Sequence, residues 1–102
     1  MTPSVYSVAF VDGLNRKFSE EEFGVEAGRK YDRIYQNKYG TRFIHAFINR
    51  ETGDLIKSAG WNAPQKNPVT GALAVRFHLN EVEGMTEALK AADVHGSYLY
   101  VR

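Results

Sequence analysis

The sequence predicts an α+β fold: an antiparallel β-meander sheet with one helix from the C-terminal half packed on it. Three observations predict it. Between residues 30 and 61, three β-rich runs are separated by two tight turns. Residues 73–79 alternate apolar and polar, the period of a half-buried strand. Met85, Ala88, Leu89 and Ala92 then recur at helical spacing, which gives a helix one apolar face.

Taken in order, residues 5–11 are rich in β-formers and read as a first strand, stopped by Asp12-Gly13. Ser19-Glu20-Glu21-Glu22 carries a capping pattern with little apolar sequence after it, so a short helical turn or exposed loop is expected there. Gly24 and Gly28 then punctuate the chain. Residues 30–37 read as a strand, Lys38-Tyr39-Gly40-Thr41 as a turn, and residues 42–49 as a second strand. Glu51-Thr52-Gly53-Asp54 is another turn, with a glycine available for positive φ. Residues 55–61 make the third strand of the meander. Pro64, Pro68, the asparagines and Gly71 mark residues 62–71 as a loop. Leu73, Val75, Phe77 and Leu79 form the apolar side of the next strand, with Arg76 and His78 on its solvated side. Asn80 is placed to cap the helix, with Glu83 reaching back. Gly96 is placed to stop it, and residues 98–101 read as a last strand.

A chain of 102 residues is the size of one ordinary domain. Its 43% apolar and 25% charged residues are those of a folded chain rather than a disordered one. There is no cysteine, which excludes disulfides, thiolate metal sites and thiol nucleophiles. The N-terminal sequence has no basic region and reaches an acid at Asp12, unlike a signal peptide or membrane span. These features point to a cytoplasmic location away from membranes. The net charge of +1 hides a division: residues 28–66 carry +5 and the remainder −4. A basic middle in a near-neutral chain makes a local field.

No motif for catalysis, phosphate binding or a metal emerges. His45, His78 and His95 have no second ligand at helical metal spacing. His45, between Phe43 and Phe47, reads as a partly buried imidazole with one hydrogen bond; a catalytic base would need a nucleophile or water site beside it. His78 shares a solvated face with Arg76, and His95 stands near the helix end, where a cation suits the dipole. The serines and glycines lack the nucleophile-elbow, dinucleotide and P-loop patterns. Neither a catalytic residue nor a cofactor is expected.

There remains the interleaving of aromatic and basic residues in the meander. Tyr31, Arg33 and Tyr35 share one side of their strand. In the next, strict alternation puts Arg42, Ile44, Ala46 and Ile48 on one side, with Phe43, His45, Phe47 and Asn49 on the other. In the third, Leu55, Lys57, Ala59 and Trp61 alternate with Ile56 and Ser58. Rings among cations suit single-stranded nucleic acid, at roughly 1–3 kcal/mol per stacked base. Aromatics are also ordinary residents of half-buried strands, and Phe43 and Phe47 read as core. The basic-glycine-aromatic run of the common RNA-recognition sheet is missing. Trp61, before Asn62-Ala63-Pro64, reads either as an anchor on a loop rim or as a ring folded over the sheet edge.

Gly28-Arg29-Lys30-Tyr31-Asp32-Arg33-Ile34, His45-Ala46-Phe47, Thr52-Gly53-Asp54, Lys57, Ala59-Gly60-Trp61-Asn62-Ala63-Pro64 and Ala74-Val75-Arg76-Phe77 resemble a family of small proteins of tailed bacteriophages. The ending Asp93-Val94-His95-Gly96-Ser97-Tyr98-Leu99-Tyr100 is similar to that of members from phages of actinobacteria. The resemblance covers about residues 25–102. It implies a phage origin and expression in the cytoplasm of an infected bacterium, and it transfers no catalytic residue. The expected function is that of a non-catalytic accessory binding protein. Arg29, Lys30, Arg33, Tyr35, Arg42, Lys57, Trp61 and Lys66 form its expected contact set for an anionic partner, a nucleic acid or an acidic host protein. The alternative is a structural or virion-associated homo-oligomer, paired through the residues 98–101 strand.

Overall fold

Ser4 starts the first helix, α1 (Val5–Lys17): its hydroxyl accepts the Ser7 N–H, and Arg16 and Lys17 close the last turn. These are the end signals a helix dipole favours. The computed structural model describes residues 1–100. After α1 come β1 (Phe23–Glu26), β2 (Tyr31–Lys38), β3 (Thr41–Asn49), β4 (Asp54–Ile56), β5 (Ser58–Gly60), β6 (Ala63–Pro64), β7 (Val75–His78), α2 (Val82–Ala91) and a 3₁₀ turn (Ser97–Leu99).

Strands β1, β2, β3, β4 and β7 form one antiparallel sheet in that order, and β5 and β6 form a separate two-stranded ribbon. The expected α+β fold is the observed one, with the C-terminal helix packed against the core through Ala88, Ala92, Met85 and Leu89. Tyr39 (φ 53) and Gly40 (φ 73) turn the chain between β2 and β3, the positive angles a two-residue hairpin requires.

Several expectations are corrected. Residues 5–11 are helical, not a strand. Ser7, Phe10, Val11 and Leu14 are its buried residues, an i, i+3, i+4, i+7 set that outweighs the β preference of valine, phenylalanine and tyrosine. Gly13, expected to stop a strand, lies inside α1, where a Cβ would come within 2.6 Å of Leu89. It lets the two helices approach. Gly24 likewise sits inside an unexpected strand, β1, where a Cβ would meet the Tyr35 hydroxyl at 2.5 Å. The third expected strand breaks at Lys57 into β4 and β5, which belong to different sheets, and the expected loop contains β6. Glu81, not Asn80, is the N-cap of α2, and it makes no side-chain cap.

The far end of α2 falls at Ala91, short of Gly96. Its carbonyls are satisfied by Lys17, whose ammonium donates to the carbonyls of Leu89, Lys90 and Ala92 at 2.8–2.9 Å. The cation expected from His95 at that dipole is therefore supplied by α1. Residues 97–99 form the 3₁₀ turn where a strand was expected, and Val101 lies outside the described residues. Arg76 and His78 are not simply solvated: Arg76 Nε donates to the Leu99 carbonyl at 2.6 Å, and His78 Nδ1 lies 2.6 Å from Asp54.

The helices cover the sheet face that carries Ile34, Ala46, Ile48 and Leu55, making a core with Phe10, Leu14, Leu79 and Leu99. One acid lies within it. Asp32 has no exposed surface, yet its oxygens accept from the Ser4 N–H and the Arg50 guanidinium. Burial alone would push this carboxyl up; hydrogen bonds from Ser4, Ser7 and Arg50 outweigh it and hold the pKa below the ordinary value.

Candidate functional site

The opposite sheet face is assembled by an irregularity in β3. Register along β2–β3 runs Arg33 to Phe47 and Ile34 to Ala46, then jumps so that Tyr35 pairs with Ile44 and Gln36 with Phe43. His45 is the extra residue of a β-bulge. Beyond it the side-chain alternation reverses. Arg42 and Ile44 therefore join Phe47 on the face away from the helices, instead of following Ala46 and Ile48 into the core. Phe43, expected in the core, is half-exposed, while Phe47 is buried.

Four of the expected contact residues meet on this face. The Arg42 guanidinium lies 4.4 Å from the Tyr35 ring centre, and the Tyr35 and Trp61 rings are 6.4 Å apart. Arg33 lies 4.9 Å from the Trp61 ring and 5.6 Å from Phe47. Arg33 Nε also donates to the Trp61 carbonyl at 2.7 Å, which ties the β5–β6 ribbon down onto the sheet. Trp61 thus folds over the sheet face from the turn of the ribbon.

Glu26, which the sequence did not nominate, stands between the two arginines. It pairs with Arg33 at 2.9 Å and Arg42 at 3.4 Å, so two guanidiniums share one carboxylate. Pairing of Glu26 with Arg33 across β1 and β2 places it there. The Arg33 side chain is 20% exposed and Arg42 52%. Arg33 is therefore a structural clamp, and Arg42 is the cation that solvent reaches.

The other four are not brought into this cluster. Arg29 and Lys30 are exposed just before β2, with Lys30 beside the Tyr31 ring. The Lys57 ammonium lies 4.3 Å from the Tyr100 ring. Lys66 is in the 66–73 loop, bridged to Leu73. Among the described residues none of these four takes part in an ion pair.

His45 itself is 95% buried. Its Nε2 lies 2.7 Å from the Tyr98 hydroxyl, and Phe23 packs edge-on against its ring at 5.3 Å. Burial lowers its pKa to about 4, with Asp93 pulling weakly the other way, so the ring is neutral at pH 7. Burial and the Asp93 charge push the Tyr98 hydroxyl up, keeping its proton on. No group of three histidine, aspartate or glutamate side chains gathers among the described residues, and no helix there is long and apolar enough to cross a membrane.

A family model described as a family of unknown function (DUF7717) matches residues 4–101. The chain belongs to that family. No curated protein and no solved structure matches it.

Proposed function

We propose that the chain is a small, non-catalytic bacteriophage accessory protein that engages an anionic partner in the host cytoplasm through the Tyr35–Arg42–Trp61 face. The observation that carries this reading is the half-exposed Arg42 guanidinium stacked on Tyr35, beside Trp61. Rings in contact with guanidinium planes suit nucleobases and phosphates. Glu26 supplies one negative charge against two positive, so a net cation remains. Arg29, Lys30, Lys57 and Lys66 lie outside this cluster and contribute only to the positive balance of residues 28–66. The phage setting rests on the sequence resemblance.

The test is a gel shift with single-stranded and duplex DNA and RNA at low salt. For nucleic acid, binding falls steeply as salt rises, with a slope of about −0.7 per phosphate neutralised on single strands. Arg42→Ala weakens it. No shift on any of the four removes nucleic acid as the partner. An acidic host protein is then the remaining occupant, captured from infected-host lysate after nuclease treatment. Capture that survives both Arg42→Ala and raised salt overturns the reading.

A second reading, a structural homo-oligomer, draws support from Val5 and Val82, which are exposed beside Met85 at the α1–α2 groove. The outer edge of β1 is covered at Phe23, where Asn15 pairs with both the N–H and the carbonyl, which shortens the edge open to another strand. A monomer mass in solution at micromolar concentration rules this reading out.

A further inference from the structure

The bulge that turns Arg42 outward also leaves His45 facing a cavity of about 250 Å³ between β5 and the 3₁₀ turn, bordered by Ile44, His45, Lys57, Gly60, His95 and Tyr100. A second cavity of about 360 Å³, reaching Phe43 and Lys38, shares Ile44, His45 and His95 with it. No acidic side chain lines either one. The nearest acid, Asp93, accepts from the Ser97 hydroxyl and from the Ser97 and Tyr98 N–H groups.

The imidazole shows what the cavity is fitted to hold. Tyr98 engages Nε2, and no partner for Nδ1 occurs among the described residues. No side-chain nitrogen or oxygen there is both sealed and unpaired, so Nδ1 opens onto the cavity His45 lines. Gly96 keeps it open: a Cβ on that residue would stand 3.7 Å from Nδ1. The Nε2–Tyr98 contact fits either direction of donation; the tautomer in which the Tyr98 hydroxyl donates carries its hydrogen on Nδ1, directed at the cavity. Lys57 also lines the inner cavity; its ammonium donates to the Ser58 carbonyl at 3.3 Å and has no ion pair among the described residues, and His95 lines both cavities.

We infer that this cavity is an oxyanion site for a small phosphate monoester. Its phosphate oxygens accept from His45 Nδ1–H, Lys57 and His95, and its organic part extends past His95 toward Phe43. Three donors from separate stretches of the chain, β3, the β4–β5 link and the segment after α2, match a tetrahedral anion better than a planar carboxylate. The inner cavity is below the size of ordinary ligand pockets, about 300–1,000 Å³, which suits the phosphate group alone. The site is distinct from the Tyr35–Arg42–Trp61 face and does not depend on what that face binds.

The test is nitrogen-15 histidine spectroscopy of the full chain, titrated with inorganic phosphate at constant ionic strength, with acetate and chloride as parallel arms. The expected result is a saturable shift of the His45 Nδ1 and His95 resonances with phosphate and none with the other two. Lys57→Gln weakens the phosphate affinity about tenfold, the loss expected for one charge-assisted hydrogen bond. His45→Gln, whose amide still reaches Tyr98 but has nothing at the Nδ1 position, abolishes the saturable His95 shift while the thermal transition stays cooperative. Equal shifts with all three anions, a shift that does not saturate, or unchanged affinity in Lys57→Gln overturns the proposal.

Discussion

On the helix-covered face of the sheet, the charged group is Asp32, sealed from solvent and held by Ser4, Ser7 and Arg50. On the other face, Arg33 and Arg42 rest on rings and share Glu26 in partial contact with water. The chemistry is similar, but the dielectric surroundings differ. A sealed pair that loses one member leaves an unsolvated charge. A surface guanidinium that is lost leaves only water and a ring. One face therefore carries stability, and the other is available for recognition.

The contrast can be broken from the inside first. Leu14→Ala empties fully buried volume between α1 and the sheet, and is expected to cost about 2–5 kcal/mol by urea denaturation. Arg50→Ala orphans the Asp32 carboxylate. Its expected cost is about 3 kcal/mol, the low end for a buried pair, because the Arg50 side chain keeps 23% exposure. Asp32 titrates below its ordinary 3.8 in the folded chain, so its contribution is fully present above that pH and is lost as pH falls through the folded value. Arg50→Ala shifts that loss to higher pH, which acid titration of the circular dichroism signal reads.

His45 sharpens the comparison at milder pH. Its folded pKa, about 4, is below the ordinary histidine value of 6.5. Between those values the unfolded chain takes up a proton and the folded chain does not, so stability declines as pH drops. The slope approaches about 1.4 kcal/mol per unit and sums to about 3 kcal/mol. His45→Gln flattens the stability profile in that window. The smallest expected effect belongs to the outer face: Arg42→Ala changes stability by less than about 1 kcal/mol while weakening partner binding.

The meander as far as Ile56, the α2 pattern and both turns of the meander are legible in the sequence because each obeys a local rule. Lys38-Tyr39-Gly40-Thr41 needs only its glycine, and Met85, Ala88, Leu89 and Ala92 only their spacing. Residues 5–11 mislead because Val5, Tyr6, Val8 and Phe10 favour strands singly, whereas the face that decides the matter runs on through Leu14, past a glycine that resembles a stop. Gly13 and Gly24 are set by long-range neighbours, Leu89 and Tyr35, which no local window contains. The candidate face is half legible for the same reason. Arg33 and Tyr35 follow from alternation, but Arg42 reaches them through a register jump at His45 that leaves no mark in the residue pattern. Glu26 depends on a strand that glycine punctuation conceals.

The Lys17 clasp on the last carbonyls of α2 joins positions 72 to 75 residues apart. During synthesis, α1 emerges long before those carbonyls exist, and the sheet can pair while the clasp is still absent. The expected order of assembly is hairpins first and docking of the two helices last. A ribosome paused before residue 92 would display a nascent chain whose first helix has not yet been fastened to its second.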